Sequence, residues 1–208
     1  MHQRNKDKSL RLLITLALLC AIGIILGKFL AFNVTEFMRF SLENLPIFLA
    51  SIVFGPLAGA CVGIVEDIIG CMLAGYVLNP LITLGAALNG LVAGFIYKLL
   101  GKLNEPLKIS LSVFPAHLIG SVMTKTLGLA LYYSLPFSLT LWWRTLNYLI
   151  VGTVEVIVLC YLLKSKLLLS NIQKIKSKDI HSENSEKSNY NQESLDIASD
   201  KEAETDEL

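Results

Sequence analysis

Apolar residues in this chain come in long blocks, without the polar helix faces and hydrophilic loops of a soluble protein. Residues 10–32, 57–75, 80–100, 109–133 and 139–163 form five such runs. Each has the roughly 18–25 residues needed to cross a hydrocarbon core of about 30 Å. A sixth run, 45–54, is apolar but only ten residues long and stops at Gly55-Pro56. As a helix it spans about 15 Å. The pattern predicts an all-α integral membrane protein. The first run does not fit a cleavable signal peptide, because its apolar stretch is about 20 residues and more spans follow.

Charge supplies the orientation. Arg4, Lys6, Lys8 and Arg11 precede the first run; Lys98, Lys102 and Lys108 sit in the connection 98–108; Lys164, Lys166, Lys174, Lys176 and Lys178 follow the last. Lysine and arginine collect on the cytoplasmic side, so all three clusters belong there. The connections 76–79 and 134–138 carry neither residue and fit the outside. This bookkeeping closes only if 45–54 also crosses, which predicts six transmembrane helices with both termini cytoplasmic. The segment 33–44 is then external, and it has to dip into the protein to complete the depth that a ten-residue helix lacks. Backbone off a helix is tolerated at that depth only where protein or a cavity shields it. The expected organisation is a basic cytoplasmic N-terminus (1–9), a six-helix membrane domain (10–164) and a cytoplasmic tail (165–208), basic and then acidic. Residues 179–208 hold ten acidic residues against Lys187 and Lys201. With few large apolar side chains such a segment cannot bury a core, and disorder is expected.

Ionisable residues inside spans are costly and point to function by default. They are Lys28, Glu66, Asp67, Lys125, Arg144 and Glu155, with His117 and Asn147 as polar company. At about 1.5 Å per residue, Lys28, Lys125, Arg144 and Asn147 fall in the outer half. Arg39 lies in the loop beside them, Glu66 and Asp67 are nearer the middle, and His117 and Glu155 sit toward the inner side. Four cations with few anions at the same depth suit an anionic small molecule, since arginine offers a fixed fork for carboxylates and lysine a mobile charge. Arg144 and Asn147 stand three apart on one helix face. The plainer readings are that Lys28 snorkels to the interface, that Glu66 or Asp67 pairs with Lys125 or Arg144 to hold the bundle, and that His117 is a buried hydrogen-bonded residue. Tyr132, Tyr133, Phe137, Trp142, Trp143 and Tyr148 crowd the outer end. A membrane-interface belt explains most of them, with Trp142 or Trp143 the candidates to stack on a flat ligand. Cys20, Cys61, Cys71 and Cys160 lack CxxC spacing and read as small apolar core residues. Ala17 and Ala21 form an AxxxA, and Gly23 and Gly27 a GxxxG, on the first helix; small residues four apart serve close helix packing, in the bundle or against another membrane protein.

No Walker A, HExxH or GxSxG motif is present, and His2, His117 and His181 are too scattered for a metal centre. An enzyme is not expected. Its best case would be Glu66-Asp67 as an acid/base pair, and a regulatory protein signalling through the acidic tail is a third class.

The run from Arg39 to Gly70, with Leu45-Pro46-Ile47 at a short helix, Gly55-Pro56 and Gly59 at a turn, and Asp67 before a glycine, resembles the substrate-binding (S) components of energy-coupling factor (ECF) vitamin transporters. The resemblance covers about residues 10–164. Within the family the folate branch is similar in Arg39 and Ser41 ahead of the LPI, in Lys125-Thr126-Leu127, and in Pro136-Phe137 followed by Arg144. This chain has Lys125 where that branch has asparagine, Gly128 where it has tryptophan, and Glu43-Asn44 where it has Gly-Phe. The resemblance implies a high-affinity vitamin-binding subunit of an ATP-driven importer in the cell membrane. The ligand would be folate, or alternatively pantothenate or another vitamin, bound in the outer half. The binding set drawn from the charge map, the aromatic cluster and the resemblance together is Arg39, Lys125, Trp143, Arg144 and Asn147. Ala17 and Ala21 look like the family's patch for a transmembrane coupling subunit. That subunit and two ATPase subunits would be the partners. ATP would be used by them, no cofactor would be bound by this chain, and no nucleic acid is expected.

Overall fold

The computed structural model describes residues 2–33, 39–75, 77–133 and 136–164, with the backbone alone at residues 2–9, 33, 39 and 133. The expected disordered tail, 165–208, lies outside the described residues. Residues up to Tyr161 form one compact unit.

Helix α1 runs from His2 to Phe29. It starts eight residues before the apolar boundary, because Arg4, Lys6 and Lys8 are themselves good helix formers. Only 17% of its apolar window is buried in the protein, so most of α1 presents its apolar surface outward. After α1 the chain makes a two-residue antiparallel bridge, β1 (Phe32–Asn33) with β2 (Arg39–Phe40). The rings of Phe32 and Phe40 stack across it at 5.6 Å.

Helix α2, Leu45–Phe54, has Pro46 in its first turn, where a missing N–H costs nothing, and ends at Gly55. Gly55 holds φ 104°, a region costly for any residue with a Cβ, and Pro56 opens α3 (Pro56–Ala74) at once. The short helix is apolar on every side because it is the central element. Leu45, Ile47, Phe48 and Ala50 are buried, and α2 touches α1, α3 and α4. Cys20, Ile47, Ala50 and Val62 form a core where α1, α2 and α3 meet, with Leu16 and Leu19 against it.

Helix α3 stops at Gly75, φ 69°, in the left-handed cap conformation. Helix α4, Pro80–Leu99, begins with the Asn79 side chain accepting from the Leu81 N–H at 3.0 Å. Gly59 and Gly63 of α3 face Gly90 and Ala86 of α4 so closely that a Cβ on any of these glycines would enter the opposing backbone or the Ser51 side chain. This is the small-residue packing by which membrane helices associate.

The next long helix is not uniform. It consists of α5 (Glu105–Ala116), a π segment (His117–Thr124) and α6 (Lys125–Tyr133). Pro115 inside α5 cannot donate a backbone hydrogen bond, and the following turns widen. The Thr124 hydroxyl donates to the Ile119 carbonyl at 2.7 Å. Wide turns of this kind re-phase the side chains that follow. Helix α7, Phe137–Lys164, closes the bundle.

Among the described residues five helices are long and apolar enough to cross a membrane, and Leu45–Phe54 is a shorter apolar one. Their boundaries fall within a few residues of the sequence expectation. Large apolar side chains such as Leu13, Leu18, Phe95, Leu131, Trp142 and Ile157 are exposed on the outer faces, as lipid in place of water requires. The cysteines differ from expectation. Cys20 is buried, but Cys61 is exposed and Cys71 and Cys160 are half-buried, because three of the four sit on outward or cavity-facing sides of their helices.

Candidate ligand cavity

Residues 23–28 of α1, 63–71 of α3 and 144–148 of α7 come together with Ile47 of α2 and with Ile82 and Ala86 of α4 toward one end of the bundle. There they enclose, with residues 41–44, Lys125 and Leu129, a cavity of about 610 Å³. That lies within the range of about 300–1,000 Å³ typical of small-molecule sites.

Its walls carry Lys28, Lys125 and Arg144, and also Glu43, Glu66 and Asp67. The expectation of several cations and few anions is corrected here: the described lining holds both signs. Depth along the helix put Glu66 and Asp67 nearer the middle, whereas helix rotation turns both toward the same space.

Each charge has its own setting. Lys125 is 6% exposed, and its Nζ lies 3.9 Å from Glu43 Oε1. Glu43 is shaped locally, with its backbone N–H donating to Ser41 Oγ at 3.2 Å. Asp67 Oδ2 accepts from the Thr83 hydroxyl at 2.6 Å. Arg144 Nε donates to the Ser121 carbonyl at 3.2 Å and Nη2 to the Tyr148 hydroxyl at 3.3 Å. Its guanidinium carbon stands 5.5 Å from the Tyr148 ring centre. Glu66 is 6% exposed, and its Oε2 has no hydrogen-bond partner among the described residues.

Beneath the cavity a polar ladder crosses the bundle. Asn89 Nδ2 donates to Asn44 Oδ1 at 3.0 Å and to Ser121 Oγ at 2.8 Å. Ser121 Oγ stands 3.3 Å from His117 Nδ1, and His117 Nε2 stands 2.5 Å from Glu155 Oε2. The imidazole stacks on Tyr148 at 4.8 Å and meets Phe48 edge-on at 4.9 Å. The ladder joins the residues before α2, helix α4, the π segment and α7. His117 is thus the buried hydrogen-bonded residue expected.

Of the sequence-derived candidates, Lys125, Arg144 and Asn147 stand in the cavity wall. Trp143 does not line it. One position from Arg144 is about 100° around a helix, and the aromatic that shares the Arg144 face is Tyr148, four residues on. Arg39 has its backbone in β2 and its side chain outside the described residues, while its neighbours Ser41, Glu43 and Asn44 line the cavity. Lys28, read as snorkelling, lines the cavity too, with Nζ 3.9 Å from the Cβ position of Gly70. The carboxylate beside Lys125 is Glu43, not Glu66 or Asp67. Gly23 and Gly27 also line the cavity, and the GxxxG of α1 seats the side chains of Glu66, from α3, and Glu43. Ala17 and Ala21 are exposed on α1. Asn89 and Ser121 were missed. Asn89 did leave a signal, a lone amide in the middle of an apolar run, where an unsatisfied polar group costs several kcal/mol.

A helical membrane bundle with a charge-bearing cavity at one end has the form of a small-molecule-binding membrane protein. The sequence profile of the family described as "ECF transporter, substrate-specific component" matches residues 11–163, and the chain belongs to that family. Its members are substrate-binding transporter subunits, not enzymes, and they work with a membrane coupling subunit and ATPases. Among solved structures, the crystal structure of FolT bound with folic acid is similar at TM-score 0.60 and 26% identity, covering 72% of this chain and 90% of that one. The S component of a bacterial ECF transporter is similar at TM-score 0.56 and 19% identity, covering 75% and 99%. ThiT from Listeria monocytogenes is similar at TM-score 0.57 and 19% identity, covering 74% and 96%. A search of curated protein sequences gives no match.

Proposed function

We propose that this chain is the vitamin-binding subunit of an ATP-driven importer in the cell membrane, with folate as its ligand. One observation carries the reading: a cavity sized for a small molecule holds Arg144, Lys125 and Asn147 in its wall, in a chain that is 26% identical to a FolT solved with folic acid. Folate has a flat pterin at one end and two carboxylates at the other. The cations suit the carboxylates, and Tyr148 supplies an aromatic face. Arg39 is proposed as a further contact from the loop before α2.

Six crossings, with both termini in the cytoplasm, go with this function. The end of α3 and the start of α2 border the same cavity, which is what a crossing α2 requires, and the lysine clusters then share one side. The cavity faces outward, where ligand is captured. Ala17 and Ala21, exposed on α1, serve as the face for the coupling subunit, through which two ATPases act. Alone, the chain binds ligand and does not transport it.

Detergent-purified protein titrated with folic acid by tryptophan fluorescence or calorimetry is expected to bind tightly, one to one, without ATP. Absence of binding to folic acid, together with tight binding to pantothenate, would replace folate by the rival vitamin and keep the importer.

A further inference from the structure

The three cavity carboxylates differ in one respect. Glu43 lies beside Lys125 and Ser41, and Asp67 takes the Thr83 hydroxyl. Glu66 is more than nine-tenths buried, yet its Oε2 has no hydrogen-bond partner among the described residues. A buried polar atom without a partner costs much of its desolvation energy, so the carboxyl group that carries it, on a residue of the cavity wall, calls for a donor from the ligand. The position of Glu66 is fixed from behind. Its carboxyl group lies against the Cα of Gly23, so closely that a Cβ there would collide with both oxygens. Gly23 is itself a cavity residue. The first half of the GxxxG is therefore the seat of a carboxylate.

The geometry points to Glu66 as the acceptor for an N–H donor edge of the ligand, that of an aminated nitrogen heterocycle, with Gly23 as the residue that positions it. The ligand is then read as a molecule of two ends. Its donor edge meets Glu66, and its anionic end meets the cations across the cavity, Arg144 foremost. This rests on the cavity being the ligand site and deepens the folate reading, since a pterin carries such an edge.

Three probes separate the ends: folic acid, pteroic acid, which keeps the pterin but lacks the glutamate, and p-aminobenzoylglutamate, which lacks the pterin. Glu66→Gln keeps the shape and replaces one acceptor oxygen by a donor. It is expected to weaken folic and pteroic acids by about tenfold or more and to leave p-aminobenzoylglutamate unchanged. Gly23→Ala is expected to weaken the same two probes, and the double variant to lose no more than Glu66→Gln alone, since both changes act on one contact. Equal losses on all three probes, or none, overturn the Glu66 assignment. Additive losses overturn the role of Gly23. Should Gly23→Ala fail to fold, Glu66→Gln, which is nearly isosteric, still decides the assignment. If the wild-type protein binds none of the probes, the folate reading falls separately. Glu66 is then judged on the small molecule that comes through purification, identified by mass spectrometry. An aminated heterocycle sustains the assignment, and a ligand with no N–H donor ends it.

Discussion

At the scale of single residues, Arg144 is at once held by protein and part of the cavity wall. Its Nε and one Nη are tied to Ser121 and Tyr148, which fixes the plane of the guanidinium while it faces the cavity. Arg144→Ala is expected to weaken folic acid binding by about 1.5–3 kcal/mol, the worth of a hydrogen bond to a charged group, measured as Kd on the purified protein. Unchanged affinity would remove Arg144 from the site. Asn89 makes a different case. Both donors of its amide are used, to Asn44 and Ser121, and it is fully buried. Asn89→Ala leaves those partners unsatisfied, and a loss of about 1–3 kcal/mol is expected, read as a lower melting temperature in detergent. Retained melting temperature would mean that the ladder is incidental to stability.

At the scale of elements, short α2 and the helix interrupted between α5 and α6 are the two departures from a regular bundle, and both border the polar interior. The turn between α2 and α3 depends on Gly55, whose φ of 104° no residue with a Cβ adopts without strain. Gly55→Ala is expected to destabilise the protein by about 1 kcal/mol or more. Gly101→Ala, where a Cβ meets nothing, is the control and is expected to leave the melting temperature in place. Helix α1 offers the other test. Ala17 and Ala21 are exposed although they are small and apolar, with Leu13, Leu18 and Ile25 around them. Replacing both alanines with tryptophan is expected to abolish copurification with the coupling subunit and leave ligand affinity intact. Copurification of the double variant at wild-type yield would show that the partner docks elsewhere. The boundaries of the apolar spans were legible in the sequence because length and hydropathy set them. The π segment was not, since the sequence contains Pro115 but nothing in the local pattern says how the turns after it close.

At the scale of the whole molecule, the decisive quantity is the number of crossings. With α2 spanning, a single cysteine placed at 77 in a cysteine-free background is expected to react with an impermeant maleimide from outside intact cells, and one at 102 only after permeabilisation. Labelling of both from outside would break the six-crossing topology. Truncation after Lys178 is expected to leave ligand affinity unchanged, since the cavity is built from residues 23–148. Loss of binding would give the acidic tail a direct part in the site.

The sequence by itself determined that this is a helical membrane protein, where its apolar spans begin and end, that Gly55-Pro56 is a turn, and which charges lie within the spans. These follow from local chemistry: the cost of polar groups in hydrocarbon and the conformations open to glycine and proline. Only the tertiary structure decided which of those charges meet. It brought Glu43, Glu66 and Asp67 to the same cavity as Lys28, Lys125 and Arg144, chose Tyr148 over Trp143, and made the GxxxG of α1 a seat for carboxylates. Rotation of each helix about its axis sets these choices. That rotation is fixed by packing against residues far away in the chain, such as Gly63 on Ala86 and Asn89 on Asn44, which no local pattern encodes.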